Sequence, residues 1–164
     1  MAPMYRLVEA HSKLEFKAAR ALIEEYAGEI GDSMGVDLAF QGLDIELERL
    51  PEMYGPPTGA LLLASRDHEW VGCCALRRFA EGVCEMKRLY IRPQVRGANL
   101  GRQMSEHLLL QARALGYRRM VLDTLQDMIA AQALYRSLGF RDTEPYYFNP
   151  MAGVTYMELD LEAS

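Results

Sequence analysis

Long apolar runs are missing from this chain of 164 residues: the longest, Ala60–Ala64, falls far short of the roughly 18–20 residues that a membrane-crossing helix requires. A helical membrane protein is thereby excluded. Cysteine is scarce. Cys73, Cys74 and Cys84 form neither an even count nor a paired metal-ligand spacing, so buried reduced thiols are expected rather than a disulfide framework or a metal centre. Positive charge is in deficit: 18 Lys and Arg against 23 Asp and Glu leave a net charge of -5, which argues against nucleic acid as the main partner. The histidines His11, His68 and His107 stand alone, with no ligand or triad partner at a recognisable spacing. The first residues carry no apolar stretch followed by a small-residue cleavage site, so no secretory signal is read and a cytoplasmic location is expected. Internal repeats and low-complexity tracts are absent as well.

What is present is the composition of one ordinary globular domain spanning 1–164, with 50% hydrophobic and 25% charged residues. Leu14, Ala18, Ala21, Leu22 and Tyr26 fall on one helical face, which predicts a helix over 13–26. Asp44–Leu50 predicts a second, short helix ending near Pro51, and the Pro- and Gly-bearing stretch to Gly59 reads as a loop. The short apolar runs Ala60–Ala64 and Val71–Leu76 predict two strands joined by a tight turn. A third strand over 83–91 breaks phase, since Cys84 and Met86 carry the apolar positions early and Leu89 and Ile91 carry them late. A one-residue shift would turn side chains to the opposite face, so a bulge near Lys87 and Arg88 is expected. Helical spacing over Leu100–Leu115 stops at Gly116; strand 119–125, helix 129–138 and strand 155–161 follow. This order of elements is α/β.

The stretch Arg96-Gly-Ala-Asn-Leu-Gly-Arg102 stands between a strand and the start of a helix. Free N–H groups and the positive end of the helix dipole bind phosphate oxygens there, glycines let a ligand approach the main chain, and Arg96 and Arg102 add charge. The Gly-Lys-Ser/Thr ending of a P-loop and the three-glycine dinucleotide fingerprint are both missing. An ordinary strand-to-helix turn accounts for the same residues.

Taken with its surroundings, Leu89-Tyr-Ile-Arg-Pro-Gln-Val-Arg-Gly-Ala-Asn-Leu-Gly101, its following helix, and Ala131-Gln-Ala-Leu-Tyr-Arg-Ser-Leu-Gly-Phe140 resemble the acetyl-coenzyme A binding and C-terminal motifs of the GNAT superfamily of N-acetyltransferases. The resemblance covers the second half of the chain. It implies a mixed central sheet with a splayed parallel strand pair, flanked by helices on both faces. It also implies acetyl-CoA as cosubstrate without a metal, and direct transfer of the acetyl group to a primary amine on a small molecule. The alternatives are a protein or peptide N-acetyltransferase and a non-catalytic CoA-binding protein. Carried over residue by residue, the cofactor contacts fall on Leu89, Tyr90 and Ile91 in the strand and on Arg96, Gly97, Ala98, Asn99, Gly101 and Arg102 in the turn. Glu85 matches the strand glutamate that serves as general base in histone-acetylating members, or else is a strand carboxylate paired with Lys87, Arg77 or Arg88. Tyr135 matches the tyrosine used as general acid, or else is a packed aromatic beside Leu134 and Leu138. Two positions depart from the family pattern: Asn99 replaces a glycine and Met128 replaces an asparagine. Asparagine is the non-glycine residue that best tolerates a left-handed backbone. On the acceptor side, Asp32, Asp37, Asp44, Glu46 and Glu48 form either a solvated acidic face or an attraction for a cationic amine. The run Tyr146–Pro150 suits either an acceptor wall or a homodimer contact.

Overall fold

A reciprocal cap opens the first helix: the Glu15 N–H donates to Ser12 Oγ at 3.1 Å, and the Ser12 N–H donates to Glu15 Oε1 at 3.0 Å. In the computed structural model, which describes residues 4–35 and 37–162, this helix, α1 (Lys13–Met34), runs beyond the expected end at Tyr26 and stops at Gly35, whose φ is 66°. Ile30 continues its buried face past Gly28, beside the partly buried Ala27, which the spacing of the first turns alone does not reveal. A short strand, β1 (Arg6–Glu9), precedes it. Two brief helices follow, α2 (Leu43–Glu48) and α3 (Leu50–Tyr54). The expected helix end at Pro51 is corrected here. Pro51 is the second residue of α3, in the first turn where a missing N–H costs nothing.

The strands β2 (Ala60–Arg66), β3 (Glu69–Ala80) and β4 (Val83–Ile91) form an antiparallel meander. Helix α4 (Leu100–Ala114) leads to β5 (Arg119–Leu125), and α5 (Ile129–Ser137) leads to the two-residue β6 (Arg141–Asp142) and to β7 (Val154–Asp160). Among the described residues one seven-stranded sheet results, in the order β1-β2-β3-β4-β5-β7-β6, with β4 and β5 as its only parallel neighbours. The expected α/β fold with helices on both faces is observed. Strand alternation divides the core: Leu62, Cys74, Met86 and Met120 pack with Met104 and Leu108 of α4, while Leu61, Leu63 and Ala75 pack with Ala19, Leu22 and Ile23 of α1. Because both faces of β2 and β3 are covered, their sequences read as unbroken apolar runs. All three cysteines lie buried and free in these layers, and burial raises each thiol pKa, that of Cys73 to about 12.

The bulge falls at the expected place. Cys73 pairs with Tyr90 and Ala75 with Lys87, so Cys74 alone faces both Arg88 and Leu89. Arg88 takes a left-handed φ of 63°. Its guanidinium is held by α2, with Nε donating to Glu46 Oε2 and Nη2 donating to Glu46 Oε1, both at 2.9 Å. Only 4% and 2% of the two side chains are exposed. Glu46 therefore belongs to neither a solvated acidic face nor an acceptor site. Burial disfavours its charged form, but the Arg88 hydrogen bonds and charge outweigh burial and hold its carboxyl below the ordinary value.

Replacing Glu46 by Ala leaves a buried guanidinium without its carboxylate and should lower the unfolding free energy by about 3–5 kcal/mol, read from urea denaturation at neutral pH. Since the folded-state pKa is depressed, the pair's contribution is complete above the ordinary glutamate range and is lost as pH falls through the lowered value. The variant should lack that acid-side decline.

Candidate active site

The bulge and the sheet topology together open a gap. β4 and β5 pair only over Val83–Glu85 with Arg119–Val121. β5 continues to Leu125 in register with β7, while β4 leaves the bulge along β3. Two adjoining spaces occupy the gap. An inner cavity of about 80 Å³ is bounded by Lys87 and Leu89 of β4, Leu122 and Asp123 of β5, Tyr26 of α1 and Tyr135 of α5. An outer cleft of about 710 Å³ runs from Leu89–Ile91 along the turn before α4 to the first turns of α5. Tyr26, Ile30, Leu89, Met128 and Ala131 border both.

The turn before α4 keeps the conformation that its glycine-poor sequence puts to the test. Asn99 adopts φ 65° and ψ 15°, the left-handed geometry, and α4 begins without a side-chain cap. The N–H groups of its first turn are therefore left for a ligand. Gly97 has φ 88°, and a Cβ at Gly101 would meet nothing nearer than Leu134 Cδ2 at 3.5 Å. Of the residues assigned from the sequence, Leu89, Tyr90, Ile91, Arg96, Gly97, Asn99 and Gly101 border the outer cleft; Ala98 and Arg102 do not. The arginines are turned to the protein. Arg96 Nη2 donates to Glu29 at 2.8 Å and its Nε to the Ile91 carbonyl at 2.8 Å. Arg102 pairs with Glu106 at 3.1 Å and donates to Ser137 Oγ. Arg96 thus borders the cleft while paired with Glu29, and Arg102 lies away from it. Met128, in place of the asparagine, borders both spaces and takes a hydrogen bond on sulfur from Thr124 Oγ1 at 3.6 Å.

Glu85 lies at the closed base of the gap, opposite Val121, and is 1% exposed. Both carboxylate oxygens are engaged: Arg77 Nε donates to Oε1 at 2.9 Å and the Tyr146 hydroxyl donates to Oε2 at 2.7 Å. Of the three cations weighed as partners, Arg77 is the one that pairs with it. Tyr135 borders the inner cavity from α5, packs edge-on against Phe140 at 5.8 Å, and is 7% exposed. Burial drives its phenol pKa far upward, so the group keeps its proton through the neutral range. Among the described residues its hydroxyl has no hydrogen-bond partner.

Sequence reasoning missed Asp123. It alternates with the core residue Leu122 on β5, so it faces the α1 side of the gap and borders the inner cavity. Tyr147 Oη donates to its Oδ2 at 2.5 Å and Asn149 Nδ2 donates to the same oxygen at 3.3 Å. An acidic residue two places after Val121 in an apolar strand is the available signal, and Tyr147 and Asn149 come from the aromatic run left open between two uses. Of that run Asn149 borders the inner cavity, while Tyr146 and Tyr147 do not and bond Glu85 and Asp123 respectively.

Residues 18–140 match the sequence profile of the acetyltransferase (GNAT) family. The chain is 44% identical over 144 residues to an uncharacterised N-acetyltransferase of Schizosaccharomyces pombe, covering 87% of this chain and 86% of that protein. It is 28% identical over 130 residues to an aminoglycoside N(6')-acetyltransferase type 1 of Stenotrophomonas maltophilia, covering 74% and 80%. In fold it resembles an acetyltransferase of Salmonella typhimurium solved with its cofactor acetyl-CoA, at a TM-score of 0.69 and 21% identity, covering 98% and 96%. The splayed strand pair, the uncapped helix after it and the family match converge: the chain belongs to the GNAT family and is an acetyl-CoA-dependent N-acetyltransferase.

Proposed function

We propose that the protein transfers acetyl groups directly to a primary amine on a small molecule, and that the inner cavity is its acceptor chamber. The observation that carries this reading is the enclosure of that cavity by α1, α5 and the segment between β6 and β7, a space of about 80 Å³ that suits a compact acceptor rather than a folded chain. The relative named as an aminoglycoside acetyltransferase supports a small acceptor as well.

Acetyl-CoA supplies a thioester, and the outer cleft would take its long arm. The first-turn N–H groups of α4 and the room at Gly97 and Gly101 fit a pyrophosphate, with Leu89–Ile91 alongside the remainder. The acceptor must attack as a neutral amine, although an ordinary alkylammonium has a pKa near ~10.4. Glu85 is the proton acceptor in this reading. Neither Glu85 nor Tyr146 borders the inner cavity, so Glu85 acts at one remove: as the Tyr146 hydroxyl behind the wall receives the amine proton it passes its own to Glu85 Oε2, and no free phenolate forms. Arg77 Nε donates to the other oxygen, Oε1, and so fixes the orientation of the carboxylate. Tyr135, protonated and without a hydrogen-bond partner among the described residues, donates a proton to the departing sulfur.

Thiol release with acetyl-CoA and a panel of small amines tests the reading. Tyr135→Phe and Glu85→Gln should each lower kcat by about 10²-fold or more while acetyl-CoA affinity holds. Unchanged turnover would remove the two assigned roles. Calorimetry should detect acetyl-CoA binding that Gly101→Glu weakens by at least about tenfold, because the new carboxylate faces the phosphate site. The open space at Gly101 lets that variant fold, so an unaltered affinity would place the phosphates elsewhere.

A further inference from the structure

The acceptor chamber carries two opposite charges on its opposing lips. The register Glu85↔Val121 puts Lys87 and Asp123 at the same level, two residues further along each strand, where the strands no longer pair. Met86 and Leu122, one residue before each, face the α4 layer, so Lys87 and Asp123 both face the α1 layer. Both border the inner cavity.

Each of the two is short of a counter-ion. Asp123 is bonded at Oδ2 by two neutral donors, Tyr147 and Asn149, and among the described residues it forms no ion pair and its Oδ1 accepts no hydrogen bond. Lys87 likewise makes no ion pair or hydrogen bond among the described residues. The carboxylates that face it, Glu85 and Glu46, are already engaged by Arg77 and Arg88, and those two cations face it too. Burial and the Arg88 charge lower its pKa, which is the signature of an ammonium lacking compensation. A carboxylate and an ammonium in one small chamber would gain from each other by closing the gap, yet they remain apart because β5 is fixed to β7 and β4 to β3.

We propose that the acceptor is a small amphoteric molecule, an amino acid or amino-acid-like compound, whose ammonium is received by Asp123 and whose carboxylate faces Lys87. Such a molecule supplies both missing counter-charges at once, whereas a simple amine leaves the lysine lip unsatisfied and a diamine sets a second cation against it. Asn149, on the same wall, holds Asp123 from behind and bonds Tyr147 Oη at 3.0 Å, so the carboxylate stays aimed at the chamber. The inference rests on the small-acceptor reading above and adds the acceptor's charge pattern to it.

Thiol release with a series of free amino acids and their amides, which differ only in the carboxylate, tests the inference. Wild-type protein should favour an amino acid over its amide by about tenfold or more in kcat/KM. Lys87→Met should bring that ratio close to one through KM for the acid, and Lys87→Arg should retain it. Asp123→Asn should raise KM for the amino acid while acetyl-CoA affinity, measured by calorimetry, holds. Equal use of acid and amide by the wild type, or a preference that survives Lys87→Met, overturns the proposal. Calorimetric titration of the same amino acids into protein saturated with CoA separates this from the transferase chemistry. Lys87-dependent binding without any thiol release would sustain the amphoteric site and defeat the catalytic reading.

Discussion

Everything functional in this protein depends on the parting of β4 from β5 after three paired positions. A parallel strand pair left without its ladder would expose main-chain donors and acceptors at high cost. Here the neighbours on the outer sides absorb the constraint: β3 holds β4 through a bulge, and β7 holds β5 along its whole length. The bulge is stabilised in turn by a buried bidentate ion pair between Arg88 and Glu46. The left-handed residue that steers the strand is thus tied by its own side chain to α2, 42 positions earlier in the chain.

Charge is distributed along the gap in a graded way. At its closed base Glu85 is fully compensated, with a guanidinium on one oxygen and a phenol on the other. One pleat further on, Asp123 has only neutral donors, and Lys87 opposite has no partner among the described residues. The same loop serves both carboxylates through consecutive tyrosines, whose rings lie 5.3 Å apart and pack on Tyr156. On the outer side, Arg96 in the turn before α4 pairs with Glu29, Arg102 in the first turn of α4 pairs with Glu106, and the helix begins without a side-chain cap.

How far the site could be read in advance follows from how local each signal is. The bulge was legible because an apolar phase break needs only a few neighbouring residues to be seen, and it falls where Cys84 and Met86 hand over to Leu89 and Ile91. The turn at Asn99 was legible for the same reason. The strand β1 was not, since four residues at a sheet edge gain their order from pairing with β2 rather than from their own pattern. Glu46 was read as part of an acidic face or of an attraction for a cationic amine because its partner Arg88 is distant in sequence. Asp123 was passed over because its meaning comes from β7-side residues that reach across to it.

The sequence by itself determined the order of the longer helices and strands, the bulge, the left-handed turn before α4 and the family to which the motifs belong, since each is written in residues adjacent along the chain. Only the tertiary structure decided which charges are neutralised and which are left facing the chamber. That outcome depends on burial and on partners brought together from separate elements, and Coulomb and desolvation energies at a few ångströms are properties of the packed chain rather than of its local order.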